Sequence, residues 1–175
     1  VDEEIIRVRR GVCAGLALIG SLAAVPATAA PDPVRRPVTA ACVLSAARLQ
    51  RVPAALILGI LKTEGGQLGA ETRNTDGSFD LGPMQINDRT WLGQIARLHF
   101  HGDMAQARQY VRDDGCYNIH IGTWIFKQNL VESHGDYRMA VGYYNSHDAA
   151  RAERYVRAFI RNLKALIAIA DSARR

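Results

Sequence analysis

Apolar positions between residues 39 and 51 recur at helical spacing, and Thr39 stands where a side-chain cap is expected. Pro53 then opens a second helix at the position where its missing N–H costs nothing. Ala54 to Leu61 (AALILGIL) is almost wholly apolar, which predicts a helix buried on all sides in the centre of a domain. That helix runs through Lys62-Thr63-Glu64 and stops at the Gly65-Gly66 pair. The one clear β signal follows. Residues 72–75 and 78–81 flank Asp76-Gly77, a pair suited to a type I′ hairpin turn, and Gly82-Pro83 ends the hairpin. The rest of the pattern predicts helices at about 89–98, 103–112, 116–132, 136–144 and 148–170. Breaks fall at His101-Gly102, Asp114-Gly115, Ser133-His134-Gly135 and Ser146-His147. The last helix mixes apolar and basic positions, as an amphipathic helix with a solvated arginine face does. The expected fold is α+β and predominantly helical, with seven helices and one small β-hairpin.

The first residues do not fit that pattern. Arg7, Arg9 and Arg10 precede an apolar stretch from Gly11 to Val25, and Ala27 and Ala29 supply a small-x-small end. This is the layout of a secretory signal cut after Ala29, with an uncleaved anchor as the alternative. The acidic Asp2, Glu3 and Glu4 are atypical of such a segment. The expected organisation is a signal at 1–29, an extended lead-in at 30–37, one domain at 38–170 and a tail at 171–175. The expected location is the periplasm or cell envelope.

Export changes how the three cysteines are read. Cys13 leaves with the signal, and Cys42 and Cys116 remain as an even pair in an oxidising compartment. They form either a disulfide or two buried free thiols. The chain has 175 residues, 48% of them hydrophobic and 22% charged, which suits a packed globular domain rather than a disordered one. The net charge of +5 is spread over several helices and is weak support for a nucleic-acid partner, which is not expected.

Glu64 is the first residue with candidate chemistry. It ends an apolar helix, so desolvation and the negative end of the helix dipole both favour its protonated form. That makes it a candidate general acid near neutral pH, against the plainer reading of an exposed glutamate at a helix end. The five histidines include no helical pair bracketing a glutamate, and the cysteines lack short metal-ligand spacing, so no metal is expected.

Several blocks then line up in order: Glu64-Gly65-Gly66, Asn74 to Asp80 (NTDGSFD), Leu81 to Asn87 (LGPMQIN), Cys116-Tyr117-Asn118-Ile119 with Gly122-Thr123-Trp124-Ile125, and Ala140 to Asn145 (AVGYYN). Together they resemble the lysozyme-like soluble lytic transglycosylases. The branch they look most like serves type IV secretion and conjugal transfer, with relatives in type III secretion. The resemblance implies a lysozyme-like domain that cleaves the β-1,4 bond between N-acetylmuramic acid and N-acetylglucosamine of peptidoglycan. In that family one glutamate protonates the glycosidic oxygen and then helps the sugar's own 6-hydroxyl attack, leaving a 1,6-anhydromuramyl end. Glu64 matches that glutamate, and the resemblance implies that no metal or organic cofactor is needed. Peptidoglycan strands are the implied partner, with secretion or conjugation components beside them, and the chain is expected to be a monomer. Two positions depart from the pattern. The family often has Ser where Gly65 stands, and Gly where His147 stands.

The resemblance also weights other residues. Asp80 matches the second carboxylate of c-type lysozymes, and it is a nucleophile, an electrostatic stabiliser or a hairpin residue. If a nucleophile, the chain is a hydrolytic muramidase using Glu64 and Asp80. A third reading is a non-catalytic wall-binding assembly protein. Gln85 and Asn87 are candidate readers of sugar groups. Met84 is a cleft wall or a core filler, and Tyr144 either orients the Glu64 carboxyl or is a core tyrosine. Asn145 links backbone near the cleft. Asp76 reads as a turn residue, and Trp124 as core.

Overall fold

The computed structural model describes residues 35–175. The export signal expected at 1–29 and the first part of the lead-in lie outside the described residues. Seven helices and a three-stranded antiparallel sheet follow in chain order. Helix α1 (Ala40–Gln50) is capped by Thr39, whose hydroxyl accepts the Cys42 N–H at 3.2 Å. It ends at Arg51, which adopts the left-handed conformation (φ 54°), with the Val52 N–H closing onto Ala47 O.

Helix α2 (Ala54–Glu64) differs from the sequence expectation. Only one face, Ile57, Gly59 and Ile60, is buried, and Leu58 is 41% exposed. The helix lies between α1 and α7, so its outer side meets solvent. Gly59 sits where α7 crosses closest. A Cβ there would stand 2.5 Å from Phe159 Cε2, so the missing side chain lets the two helices approach.

The helix buried on nearly all sides is α5 (Gly115–Glu132). Ile119, Ile121, Ile125, Phe126 and Leu130 give it core contacts. Polar residues interrupt its apolar run. Asn118 is fully buried: its amide donates to Leu81 O (3.0 Å) and Val111 O (2.8 Å), and its carbonyl accepts from Met84 N (2.8 Å). One side chain thereby satisfies three backbone groups where the sheet meets the helices. Cys42 and Cys116 form a disulfide, tying the start of α1 to the start of α5 with 5.1 Å between Cα atoms. A bond across 74 residues contributes about 4 kcal/mol in the chain-entropy model.

The sheet consists of β1 (Glu71–Arg73), β2 (Phe79–Leu81) and β3 (Ile86–Asn87), in that spatial order. The third strand was not expected, because two residues carry no readable alternation. The β1–β2 turn also differs from the type I′ turn expected. That type needs positive φ at both central residues, and Asp76 does not have it. Instead Gly77 N–H closes onto Asn74 O, Gly77 takes φ 83°, and Asn74 pairs with Ser78 around a three-residue loop. Asp76 accepts from Ser78 N and Oγ, as a turn aspartate does.

A π-helical turn (Asp88–Leu92) leads into α3 (Gly93–His99) and α4 (Met104–Asp113). Arg108 reaches both Glu71 (2.6 Å) and Asp88 (2.7 Å), clamping the sheet onto α4. The last helices are α6 (Tyr137–Asn145) and α7 (Ala149–Ser172), each capped by an aspartate, Asp136 and Asp148. Helix α7 runs two residues past the predicted end at 170. Among the described residues no helix is long and apolar enough to cross a membrane.

Asn118 supplies the most localised test of this packing. Asn118→Ala strands one buried N–H and two buried carbonyls, and is expected to cost about 3 kcal/mol or more in urea unfolding. A loss below about 1 kcal/mol would show that the junction does not depend on it.

Candidate active site

Glu64 is the last residue of α2, and the chain turns away immediately behind it. Gly65 makes that turn in the left-handed conformation (φ 61°), donating its N–H to Leu61 O at 3.1 Å. A Cβ on Gly65 would meet nothing within 4 Å, so the demand for glycine comes from the backbone, not from crowding. The position where the resembling family often has Ser is therefore a helix-ending glycine here.

The carboxyl of Glu64 lies in a cleft of about 660 Å³ between the sheet and the helices. Burial, opposed by one hydrogen bond and assisted by the negative charge of Asp80, raises its pKa from 4.5 to about 7. The donor of that bond is Tyr155 on α7, whose hydroxyl stands 2.5 Å from Glu64 Oε1. Burial, together with the neighbouring Glu64 charge, pushes the Tyr155 hydroxyl itself well up, so it stays a donor at any ordinary pH. At neutral pH the Glu64 proton is therefore available to a bound group, and the carboxylate left behind has a fixed donor.

Tyr144 does not take the orienting role expected of it. Its hydroxyl donates to Met84 O at 3.1 Å instead. It still borders the cleft, and burial first, then the charges of Glu64 and Asp80, raises its pKa well above the usual phenol value. Tyr155 was not singled out in the sequence, because on an amphipathic helix it reads as one more core aromatic beside Val156 and Phe159. Its position 91 residues from Glu64 gives no local signal.

The sheet wall of the cleft is built on β2 and β3. Their register places Asp80 opposite Asn87, and the Asn87 amide donates to Asp80 Oδ1 at 2.8 Å and to Ser78 Oγ at 3.0 Å. Asn87 Oδ1 accepts from Thr90 N and Thr90 Oγ1, both at 3.1 Å. Both donors and the acceptor of Asn87 are thus engaged within the protein, which makes it a holder of Asp80 rather than a reader of sugar. Met84 is fully buried, 0% exposed, and does not line the cleft, so its expected substrate contact is corrected to a core role. Gln85 does line the cleft. It adopts positive φ (49°), and its Nε2 donates to Gly82 O at 2.9 Å, holding the turn between β2 and β3. Asn145 lines the opposite, helical wall at the end of α6. Trp91 borders the cleft and meets Trp124 edge-on at 5.5 Å. Among the described residues no group of three or more His, Cys, Asp or Glu is placed to hold a metal.

A single protonated glutamate in a polar cleft, held by a tyrosine and faced by an aspartate, is suited to acid catalysis on a bond with a basic leaving oxygen. A family model described as the transglycosylase SLT domain matches residues 41–163. The chain belongs to the transglycosylase SLT domain family. Members of that family are lytic transglycosylases acting on peptidoglycan. A search among curated proteins found no match. The SLT match runs from the start of α1 to the middle of α7, so Glu64, Asp80, Tyr144 and Tyr155 all lie inside it.

Tyr155→Phe tests the pairing that the SLT domain places around its glutamate. The lost hydrogen bond favours the carboxylate, so its removal moves the Glu64 pKa, and the alkaline limb of any pH–activity profile, to higher pH. The maximal rate is expected to fall about tenfold through poorer positioning. A variant with an unshifted profile would detach Tyr155 from Glu64.

Proposed function

We propose that this SLT domain is a peptidoglycan lytic transglycosylase that cleaves the β-1,4 bond between N-acetylmuramic acid and N-acetylglucosamine, with Glu64 as its acid and then its base. The observation that carries the reading is the Glu64 carboxyl, held protonated to about pH 7 and bonded to Tyr155 in a cleft of about 660 Å³. Protonated Glu64 gives its proton to the glycosidic oxygen as the bond to the anomeric carbon breaks. The Asp80 carboxylate, fixed by Asn87, supplies negative charge as the sugar ring becomes oxocarbenium-like. Glu64, now a carboxylate steadied by the Tyr155 hydroxyl, takes the proton of the muramyl 6-hydroxyl as that oxygen closes on the anomeric carbon. The product is a 1,6-anhydromuramyl end, no water is consumed, and Glu64 is protonated again.

A muramidase reading shares the acid and differs in the second step, with Asp80 attacking the anomeric carbon. The Asp80 charge acting on Glu64 speaks for two carboxyls in one cleft. Export to the periplasm, and local opening of the wall for a secretion or conjugation apparatus, are part of the proposal. They rest on the signal-like segment at 1–29, the Cys42–Cys116 disulfide and the cysteine-led block at the start of α5.

Digestion of purified peptidoglycan followed by mass spectrometry decides between the readings. Anhydromuramyl ends are expected from the wild-type chain, and none from Glu64→Gln. Products heavier by one water would establish the muramidase instead. Absence of release by the wild type across pH would favour the wall-binding reading.

A further inference from the structure

The two walls of the cleft differ in charge. The sheet wall carries Asp76 and Asp80, and the one cation beside it among the described residues, Arg89 of the π-helical turn, is paired with Asp76 at 2.9 Å. The helical wall carries Arg151, in the first turn of α7, and Arg151 makes no ion pair among the described residues. Asp148, three residues before it, and Glu132, which touches the cleft residue His147, are both engaged elsewhere. Asp148 caps α7, accepting the Arg151 backbone N–H at 2.9 Å. Glu132 is held by His147 Nε2 at 2.9 Å. The His147 ring is fixed in turn by stacking on Tyr143, 4.3 Å between centroids and 25° between planes. His147 stands where the resembling family often has Gly, so this hold on Glu132 is a feature of this chain.

A second observation marks the same wall. Asn129 of α5 lines the cleft, is only 4% exposed, and its Nδ2 has no hydrogen-bond partner. A buried amide left without an acceptor is costly, and a ligand oxygen removes that cost. The positive end of α7, an unpaired guanidinium and an unsatisfied amide donor share one requirement, an oxygen anion.

We propose that Arg151 and Asn129, with His147 keeping Glu132 away, form a subsite for a carboxylate carried on the muramic-acid side of the glycan strand. This rests on the reading of the cleft as a peptidoglycan site. The carboxylate is that of the lactyl group on stripped glycan or that of the stem peptide on intact strands. The acidic sheet wall repels the same group, so the cleft accepts the strand in one orientation and favours carboxylate-bearing glycan over neutral oligomers of N-acetylglucosamine.

The test is equilibrium binding in the Glu64→Gln background, where no ligand is consumed. Three ligands are compared: peptide-bearing uncross-linked strands, amidase-stripped strands, and neutral chito-oligosaccharide. Arg151→Ala is expected to weaken carboxylate-bearing ligands about tenfold, with a loss that shrinks at high salt. The neutral ligand should lose far less. Arg151→Lys should restore part of the affinity, and His147→Gly, which frees Glu132, should weaken the same ligands in the same direction. Loss on the stripped strands alone assigns the lactyl carboxylate, loss on peptide-bearing strands alone assigns the stem, and loss on both shows that the subsite takes either carboxylate. Equal loss on all three ligands, or none on any, overturns the subsite while leaving the peptidoglycan reading intact. If the Glu64→Gln protein binds none of the three, the peptidoglycan reading itself falls, and the subsite with it.

Discussion

A carboxyl group held out of water at the end of α2 is the constraint around which this molecule is arranged. The shift of Glu64 from 4.5 to about 7 corresponds to about 3 kcal/mol of preference for the protonated form. The folded chain keeps this proton up to about pH 7, whereas an unfolded chain releases it near 4.5. Glu64 is therefore easiest for the fold to tolerate below pH 4.5 and weighs against it increasingly as the pH rises to 7. Other elements supply the opposing stability. The disulfide fixes α1 to α5, and Asn118 and Arg108 fasten the sheet to the helices, so the cleft holds its shape around a group whose ionisation opposes folding.

The same reasoning connects parts distant in sequence. Gly59 allows α7 to approach α2, and that approach brings Tyr155 onto Glu64. Gly65 turns the chain off the end of α2. The short β2–β3 ladder places Asn87 against Asp80, and Asp80 adds its charge to the site. Each is a packing or hydrogen-bonding fact that alters the protonation of one oxygen. The chemistry proposed for the SLT domain needs little more, because a substrate hydroxyl serves as the nucleophile.

Much of this was legible in the sequence, and the failures have identifiable causes. Helix positions followed from apolar spacing, and Glu64 stood out because a charged residue ended an apolar run. The central helix was misread. The AALILGIL run is exposed on one side, while α5, interrupted by Asn118, Thr123 and Asn129, is the buried one. Side-chain hydrogen bonds to backbone make such polar residues acceptable in a core, and composition does not show them. Met84 and Asn87 lay in the right block but turn to the core and to Asp80. Tyr155 depends on a helix crossing, which no local pattern encodes. His147 and Arg151 gain meaning only once α5, α6 and α7 are seen to share a wall.

The most direct test is the titration of the Glu64 side-chain carboxyl by carbon-13 NMR, with Glu64→Gln used to assign the resonance. A midpoint near pH 7 is predicted, moving upward in Tyr155→Phe. A midpoint near the ordinary 4.5 would mean that the carboxyl is solvated, is ionised at neutral pH, and is not the acid that the site is built around.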